Sequence, residues 1–174
     1  MRQKRERLTT QRLVLKPFEE SDKPQMLKLL YDAEVSKTFM IPELENVEQA
    51  EKLFGKLAEF SRDEEHFEYG IYLDGLCIGF VNDCGIEDTE IEIGYVILPA
   101  YQGKGYASEA VSACISELFD MGYARVTAGH FVENPASRRV MEKCGMHPID
   151  FEEDIPYRGA VHHCLYMAID RPEP

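Results

Sequence analysis

The spacing of apolar residues changes several times along the chain, and each change predicts a new element. Residues 13–15 predict a first strand that ends at Pro17. Acidic and polar cap candidates at 19–22 then precede a helix with apolar residues at 26, 27, 29 and 30. Asn46 is a suitable N-cap for a second helix, whose apolar residues share one face: Ala50, Leu53, Phe54, Leu57 and Phe60.

Strand-like patterns follow in the middle of the chain. Two β-type runs, at 67–73 and 76–81, are joined by Asp74-Gly75. This dipeptide is a strong hairpin signal, because both turn positions require a positive φ. A third strand is predicted at 91–98, and Pro99 ends it.

The second half alternates between helices and strands. The most regular helix carries apolar residues at 107, 110, 111, 114, 115, 118 and 119 and has Gly122 at its C-terminal end. A strand at 125–131, a short helix at about 135–143 with Asn134 as N-cap, and two strands at 149–154 and 161–169 complete the pattern. The order predicts one mixed α/β domain of the α+β class over residues 1–174, and it excludes a doubly wound sheet.

Length and composition fit an ordinary soluble domain. The 174 residues are 44% hydrophobic and 29% charged, and no apolar run approaches the ~20 residues that span a bilayer. Residues 1–5 include three basic side chains, but no apolar segment of a secretory signal follows them. We therefore expect a cytoplasmic protein that does not enter a membrane.

The cysteines and histidines do not predict a metal site. The five cysteines stand at 77, 84, 114, 144 and 164 without a C-x-x-C pair, and those at 77, 114 and 164 lie in apolar stretches typical of reduced core cysteines. His162 and His163 are adjacent in a predicted strand, so their side chains point to opposite faces. No metal is expected.

The formal net charge of −13 restricts the partners. It argues against nucleic acid, whose phosphates favour basic proteins. An acidic surface attracts cationic partners; the alternative is that the surface carboxylates serve solubility alone. An anionic cofactor would therefore need a local feature that opposes the overall field.

Residues 102–108 provide such a feature. Gly103 and Gly105 lie between a strand and a helix, where backbone N–H groups and the helix N-terminus form an anion site, and Lys104 adds a positive charge. The P-loop pattern fails because residue 98 is not glycine, and the dinucleotide fingerprint fails because Ser108 replaces its last glycine. A simple tight turn remains the alternative.

Two segments resemble motifs of a known family. Residues 94–107 (GYVILPAYQGKGYA) resemble motif A of the GNAT superfamily of acetyl-CoA-dependent N-acetyltransferases, and Gln102, Gly105 and Ala107 match its [QR]-x-x-G-x-[GA] pattern. Residues 134–146 (NPASRRVMEKCGM) resemble motif B, and residues 10–15 resemble the subgroup that acetylates ribosomal-protein N-termini. The resemblance implies a GNAT fold, in which a mostly antiparallel sheet splays at its middle between flanking helices.

The resemblance also implies a set of cofactor contacts for acetyl-CoA. The pantetheine arm would bind the backbone of Tyr95, Val96 and Ile97 in the splayed region. Asn134 would bond the arm near its thiol end, although a plain N-cap is the alternative. The remaining implied cofactor residues surround the pyrophosphate: Gln102, Gly103, Lys104, Gly105, Tyr106, Ala107 and Ser108.

The chemistry requires a base for the amine and a proton donor for the leaving thiolate. The resemblance implies Glu92 as the base, although Glu92 could simply belong to the polar face of a strand. The usual tyrosine acid of the family is replaced by Met141, which cannot donate a proton. The ribosomal-protein subgroup implies Ser137 instead, a surface or cap serine being the alternative, and Tyr95 is a further candidate.

The acceptor remains open at this level. The leading expectation is a peptide α-amine or a small polyamine-like amine, with contacts from residues 39–44 and 157–163. The alternatives are an aminoglycoside acceptor and a non-catalytic acyl-CoA sensor. The edge strands of such a sheet would also allow a homodimer.

Overall fold

An eight-stranded sheet organises residues 2–173, which are the residues that the computed structural model describes. Its strands are β1 (Leu8–Thr9), β2 (Leu13–Lys16), β3 (Tyr69–Leu73), β4 (Leu76–Glu87), β5 (Glu90–Ile97), β6 (Arg125–Phe131), β7 (His147–Tyr157) and β8 (Ala160–Asp170). The helices are α1 (Lys23–Leu30), α2 (Val35–Thr38), α3 (Val47–Phe60), α4 (Tyr106–Met121) and α5 (Pro135–Lys143).

The sheet order is β1-β2-β3-β4-β5-β6-β8-β7, and all neighbours are antiparallel except β5 and β6. The parallel pair is short, because it joins only Glu90–Glu92 to Arg125–Thr127. Beyond Glu92 the two strands separate, and within residues 2–173 the backbone of β5 has no strand partner on that side. The predicted splayed, mostly antiparallel sheet is therefore confirmed.

Helices cover both faces of the sheet, and the alternation of β5 assigns its side chains to them. Ile91, Ile93 and Ile97 join the core under α4 and α5. Val96 packs in the second core, under α1, α2 and α3. Since neighbouring residues of a strand point to opposite faces, Glu92 lies on the face of Val96, and Tyr95 lies on the other.

The predicted turns and caps are present. Asp74 and Gly75 have φ values of 49° and 84°, as a two-residue hairpin turn requires. The side chain of Asn46 accepts a hydrogen bond from the backbone N–H of Gln49, and Gly122 ends α4 with φ 114°.

Several boundaries differ from the predictions. β4 continues to Glu87 instead of ending at residue 81, and β7 spans His147–Tyr157 instead of 149–154. Both extensions are mainly exposed, so ladder hydrogen bonds hold them without an apolar alternation to reveal them. β1 and α2 were not predicted, since two and four residues are too short for a periodic signal.

Candidate functional site

A cavity of about 400 Å³ opens where β5 and β6 separate. Its wall includes β5, the turn before α4, the first turns of α5, and residues of β6 and β8. The cavity brings together nearly all predicted site residues: Glu92, Tyr95, Val96, Ile97, Gln102, Gly103, Gly105, Tyr106, Ala107, Ser108, Asn134 and Ser137. Only Lys104 of the predicted set lies outside this lining.

The turn at one end of the cavity has the conformation of an anion site. Gly103 and Gly105 have φ values of 73° and 83°, which side chains rarely tolerate. Gly105 stands at the N-cap of α4, so the first N–H groups of the helix have no intrahelical acceptor. The side chain of Gln102 donates to the carbonyl of Ile97 at 2.8 Å and ties the turn to the end of β5.

A second set of contacts braces this turn from outside the cavity. Arg12 donates to the carbonyl of Lys104 at 3.0 Å and to the carboxylate of Glu109 at 2.7 Å. Glu109 also accepts from the backbone N–H of Arg12 and lies in the first turn of α4, where a carboxylate is favourable. The Arg12 guanidinium lies 4.6 Å from the ring centroid of Tyr106.

The cations of the cavity differ from the one predicted. The ammonium of Lys104 donates to the carbonyl of Ala100 at 2.9 Å, and Lys104 is not among the residues that line the cavity. Arg139 and Lys143, four residues apart on α5, line the cavity instead. Their spacing in the sequence could have indicated these two cations, because residues four positions apart lie on the same face of a helix.

Two hydroxyl groups meet on the α4–α5 face of β5. The Tyr95 hydroxyl lies 2.8 Å from Ser137 Oγ and donates to the Ser137 carbonyl at 3.0 Å. Burial raises the pKa of Tyr95, so its hydroxyl keeps its proton at neutral pH. Asn134 caps α5 by accepting from the N–H of Ser137 at 3.1 Å. Met141, at the position of the family tyrosine, is fully buried in the core.

Glu92 lies on the opposite face of β5 and is half buried. Burial raises the pKa of Glu92, and the negative charge of Glu153 raises it further. Glu153 accepts a hydrogen bond from the hydroxyl of Tyr166, a residue that lines the cavity. Tyr166 pairs with Gly129, where a Cβ would lie 2.9 Å from the tyrosine ring, so the glycine makes room for it.

The two segments predicted to contact the acceptor touch each other. The Tyr157 hydroxyl donates to the carbonyl of Ser36 at 2.8 Å and accepts from the N–H of Ile41 at 3.2 Å. From the first segment Phe39 and Met40 line the cavity, and from the end of the chain Ile155, Cys164 and Tyr166 line it, outside the predicted range 157–163.

Neither a metal cluster nor a membrane span appears in the described part of the chain. No group of three or more His, Cys, Asp or Glu side chains within residues 2–173 is arranged to hold a metal ion. Within the same range, no helix is both long and apolar enough to cross a bilayer.

Comparison with known proteins points to one family. The acetyltransferase (GNAT) domain model matches residues 12–147. The chain is 30% identical over 145 residues to the uncharacterized N-acetyltransferase YoaA of Bacillus subtilis, covering 79% of this chain and 81% of that protein. It is 35% identical over 143 residues to the uncharacterized N-acetyltransferase YnaD of the same species, covering 80% and 81%.

Solved structures show the same architecture. An acetyltransferase (GNAT family) from Bacillus anthracis superposes with a TM-score of 0.81 at 26% identity, covering 94% of this chain and 98% of the other. The complex of RimL, a ribosomal L7/L12 alpha-N-protein acetyltransferase, with coenzyme A superposes with a TM-score of 0.83 at 19% identity, covering 94% and 96%. At that identity the second likeness concerns the fold alone.

Proposed function

The chain belongs to the GNAT family of acetyltransferases, and from this premise we propose that it transfers the acetyl group of acetyl-CoA to a primary amine. One observation carries the proposal: a single cavity joins the anion-binding turn at residues 102–108 to Glu92 through the gap beside β5. We further propose that residues 1–174 form one N-acetyltransferase domain.

The cofactor would lie along the gap. Its pyrophosphate would accept hydrogen bonds from the amides of residues 103–108, and Arg139 and Lys143 would oppose the negative charge of the protein locally. Its pantetheine arm would pair with the free backbone of Tyr95, Val96 and Ile97, as a strand pairs with an open edge. The complex of RimL with coenzyme A supports the choice of cofactor in a protein of the same fold.

The chemistry follows from the two faces of β5. Glu92, on one face, removes a proton from the acceptor ammonium, and the neutral nitrogen attacks the thioester carbonyl. A backbone N–H of the splayed strand stabilises the oxyanion. The C–S bond would then break. The thiolate would take a proton from Ser137 or Tyr95 on the other face, and the acetylated nitrogen would return its remaining extra proton to that hydroxyl, which gives an N-acetyl amine and coenzyme A. The elevated pKa of Glu92 makes it a stronger base than an exposed carboxylate.

Replacing Glu92 tests the proposal. Glu92→Gln keeps the shape of the side chain but cannot accept a proton, so kcat should fall by about 10²- to 10⁴-fold. The acetyl-CoA dissociation constant, measured by calorimetry, should stay within about twofold. Glu90→Gln, two residues earlier on the same face and exposed, is the matched control and should retain full activity. An unchanged kcat for Glu92→Gln across the pH range removes Glu92 from the mechanism.

A further inference from the structure

The acceptor end of the cavity, the part beside Glu92, is bordered by a segment without regular secondary structure. Residues 39–46 connect α2 to α3 and form neither helix nor strand. Phe39 and Met40 of this segment line the cavity. The Phe39 ring would lie 3.6 Å from a Cβ at Gly94, which follows Glu92 by two residues on β5 and therefore shares its face. The position of Phe39 thus limits the space beside the proposed base.

The backbone of this segment depends on the other end of the chain for its hydrogen bonds. The N–H of Phe39 donates to the carbonyl of Val35 at 3.0 Å and ends α2. Within the described part of the chain, every other hydrogen bond to the backbone of residues 39–44 comes from Tyr157 or Arg158. These two residues therefore fix a backbone that no helix or strand supports.

The Tyr157 hydroxyl uses its full hydrogen-bonding capacity in this contact. It donates to the carbonyl of Ser36 at 2.8 Å, and it accepts from the N–H of Ile41 at 3.2 Å and from Arg158 Nε at 2.8 Å. A phenol has one proton and two lone pairs, so one donated and two accepted bonds satisfy it. A phenylalanine at this position could make none of these bonds.

Tyr157 stands at the tip of the hairpin formed by β7 and β8. The ladder between β6 and β8 ends at Phe131 and Cys164, and within the described residues the strands pair beyond this point only across the hairpin. Ile155, two residues before Tyr157, lines the cavity, and the Tyr157 ring lies 6.2 Å from that of Phe131 between centroids. The hairpin tip and the segment at 39–46 are thus two parts of one wall, and they meet at the Tyr157 hydroxyl.

We propose that the Tyr157 hydroxyl is a positioning group for the acceptor: by joining the two parts of this wall, it keeps Phe39 and Met40 where they hold the amine beside Glu92. This inference rests on the proposed acetyl transfer. The hydroxyl bonds backbone groups of the segment and takes no part in the proton transfers. Its loss should therefore weaken binding of the acceptor and leave the chemical step and the cofactor end of the cavity nearly unchanged.

Tyr157→Phe tests the inference, because it removes the hydroxyl and keeps the ring against Phe131. The acceptor KM should rise about tenfold, the scale of one or two lost hydrogen bonds, while kcat and the acetyl-CoA dissociation constant change by less than about threefold. Steady-state kinetics with the best amine of a panel and calorimetry with acetyl-CoA provide the measurements. An unchanged acceptor KM overturns the role of Tyr157, and so does an equal weakening of acetyl-CoA binding.

Tyr69→Phe is the matched control for a loss of stability alone. The Tyr69 hydroxyl also donates to a backbone carbonyl distant in sequence, that of Arg5, and Tyr69 does not line the cavity. Both variants should unfold at a lower temperature than wild type, but only Tyr157→Phe should raise the acceptor KM. The same rise in both variants would assign the effect to stability and overturn the inference.

Hydrogen exchange tests the contact independently of activity. In Tyr157→Phe, a peptide that covers residues 39–45 should exchange its amide hydrogens faster than in wild type, because the N–H of Ile41 loses its acceptor. Peptides from the turn at residues 102–108 should exchange at the wild-type rate. Equal exchange of residues 39–45 in the two proteins would show that the hydroxyl does not hold the segment, and it would overturn the inference.

Arg158→Lys is the second variant, should Tyr157→Phe not fold as judged by circular dichroism. The Arg158 guanidinium donates to the Tyr157 hydroxyl at 2.8 Å and to the carbonyl of Ile41 at 3.3 Å. Lysine keeps the charge but lacks the two-pronged geometry, so the acceptor KM should rise in the same direction, by about threefold. An unchanged acceptor KM in this variant also overturns the inference.

Failure of the proposed function gives a different result. Wild-type protein that releases no thiol with any amine overturns acetyl transfer and the acceptor role of Tyr157 with it. Amine-dependent release by wild type, with the same acceptor KM in Tyr157→Phe, overturns the present inference alone.

Discussion

At the scale of single residues, we propose that the hydroxyl pair of Tyr95 and Ser137 supplies the proton for the leaving thiolate. The two groups lie 2.8 Å apart and line the same cavity. Met141, which replaces the family tyrosine, is buried in the core and contributes no proton. In the proposed mechanism this pair replaces the family tyrosine as the proton donor, with Ser137 as the residue that the subgroup resemblance implies.

Single and double variants test this pair. Ser137→Ala and Tyr95→Phe should each lower kcat, by about 10- to 100-fold, while the acetyl-CoA dissociation constant changes little. Because the hydroxyls share one hydrogen bond, the double variant should be little slower than the slower single variant. Steady-state rates for the four proteins provide the measurement, and fully multiplicative losses would show that the two hydroxyls act independently.

Single residues also show how much of the candidate site could be predicted from the sequence. Gln102, Gly105 and Ala107 could be placed because they match the family motif, whereas the direction of the Lys104 side chain depends on the Ala100 carbonyl and could not be predicted.

At the scale of elements, the separation of β5 from β6 exposes backbone and side chains to the same cavity. Apolar periodicity was sufficient to predict these strands, and the family resemblance implied the splay. Apolar periodicity was not sufficient to predict the exposed ends of β4 and β7, because these ends have no apolar alternation. The position of Glu153 near Glu92 was equally hidden, because three strand pairings (β5 with β6, β6 with β8, and β8 with β7) set the position of β7 relative to β5.

The pH dependence of activity tests the effect of β7 on β5. Glu92 must be deprotonated to act as a base, so activity should rise with pH through its elevated pKa. Glu153→Gln removes a negative charge, lowers the pKa of Glu92 and should shift the acidic limb of kcat/KM to lower pH.

The other titratable groups near Glu92 do not mask this shift. Burial raises the pKa of the Cys84 thiol to about 12, and burial also raises the pKa values of Cys164 and Tyr166, so all three are neutral at the acidic limb. Glu152→Gln is the matched control, because Glu152 pairs with His163 at 3.5 Å on the exposed surface. An acidic limb that stays in place in Glu153→Gln contradicts the coupling of the two carboxylates.

At the scale of the whole molecule, a net charge of −13 must coexist with an anionic cofactor. The proposed resolution is local: the amides of residues 103–108 and the cations of α5 face the cavity, while the carboxylates of Glu92 and Glu153 lie towards the acceptor. The same separation of positive and negative groups would attract a cationic amine to the end of the gap where the carboxylates lie.

Two neighbouring arginines test whether local cations, and not the net charge of the protein, favour binding of the cofactor. Both arginines are exposed, but Arg139 lines the cavity, whereas Arg138 lies outside its lining and pairs with Glu142 at 2.9 Å. Arg139→Ala should weaken acetyl-CoA binding by about tenfold or more, since hydrogen bonds to charged groups contribute about 1.5–3 kcal/mol. Arg138→Ala makes the same change of net charge and should leave the dissociation constant nearly unchanged. Equal losses in calorimetry would assign the effect to the overall field.

Acetyl transfer itself is measured most directly by following free thiol while acetyl-CoA and a panel of amines and short peptides are supplied. The account predicts thiol release that depends on the amine, with one acetyl group added to the amine for each thiol, as determined by mass spectrometry. Binding of acetyl-CoA without amine-dependent thiol release would contradict it and would identify the chain as a non-catalytic sensor.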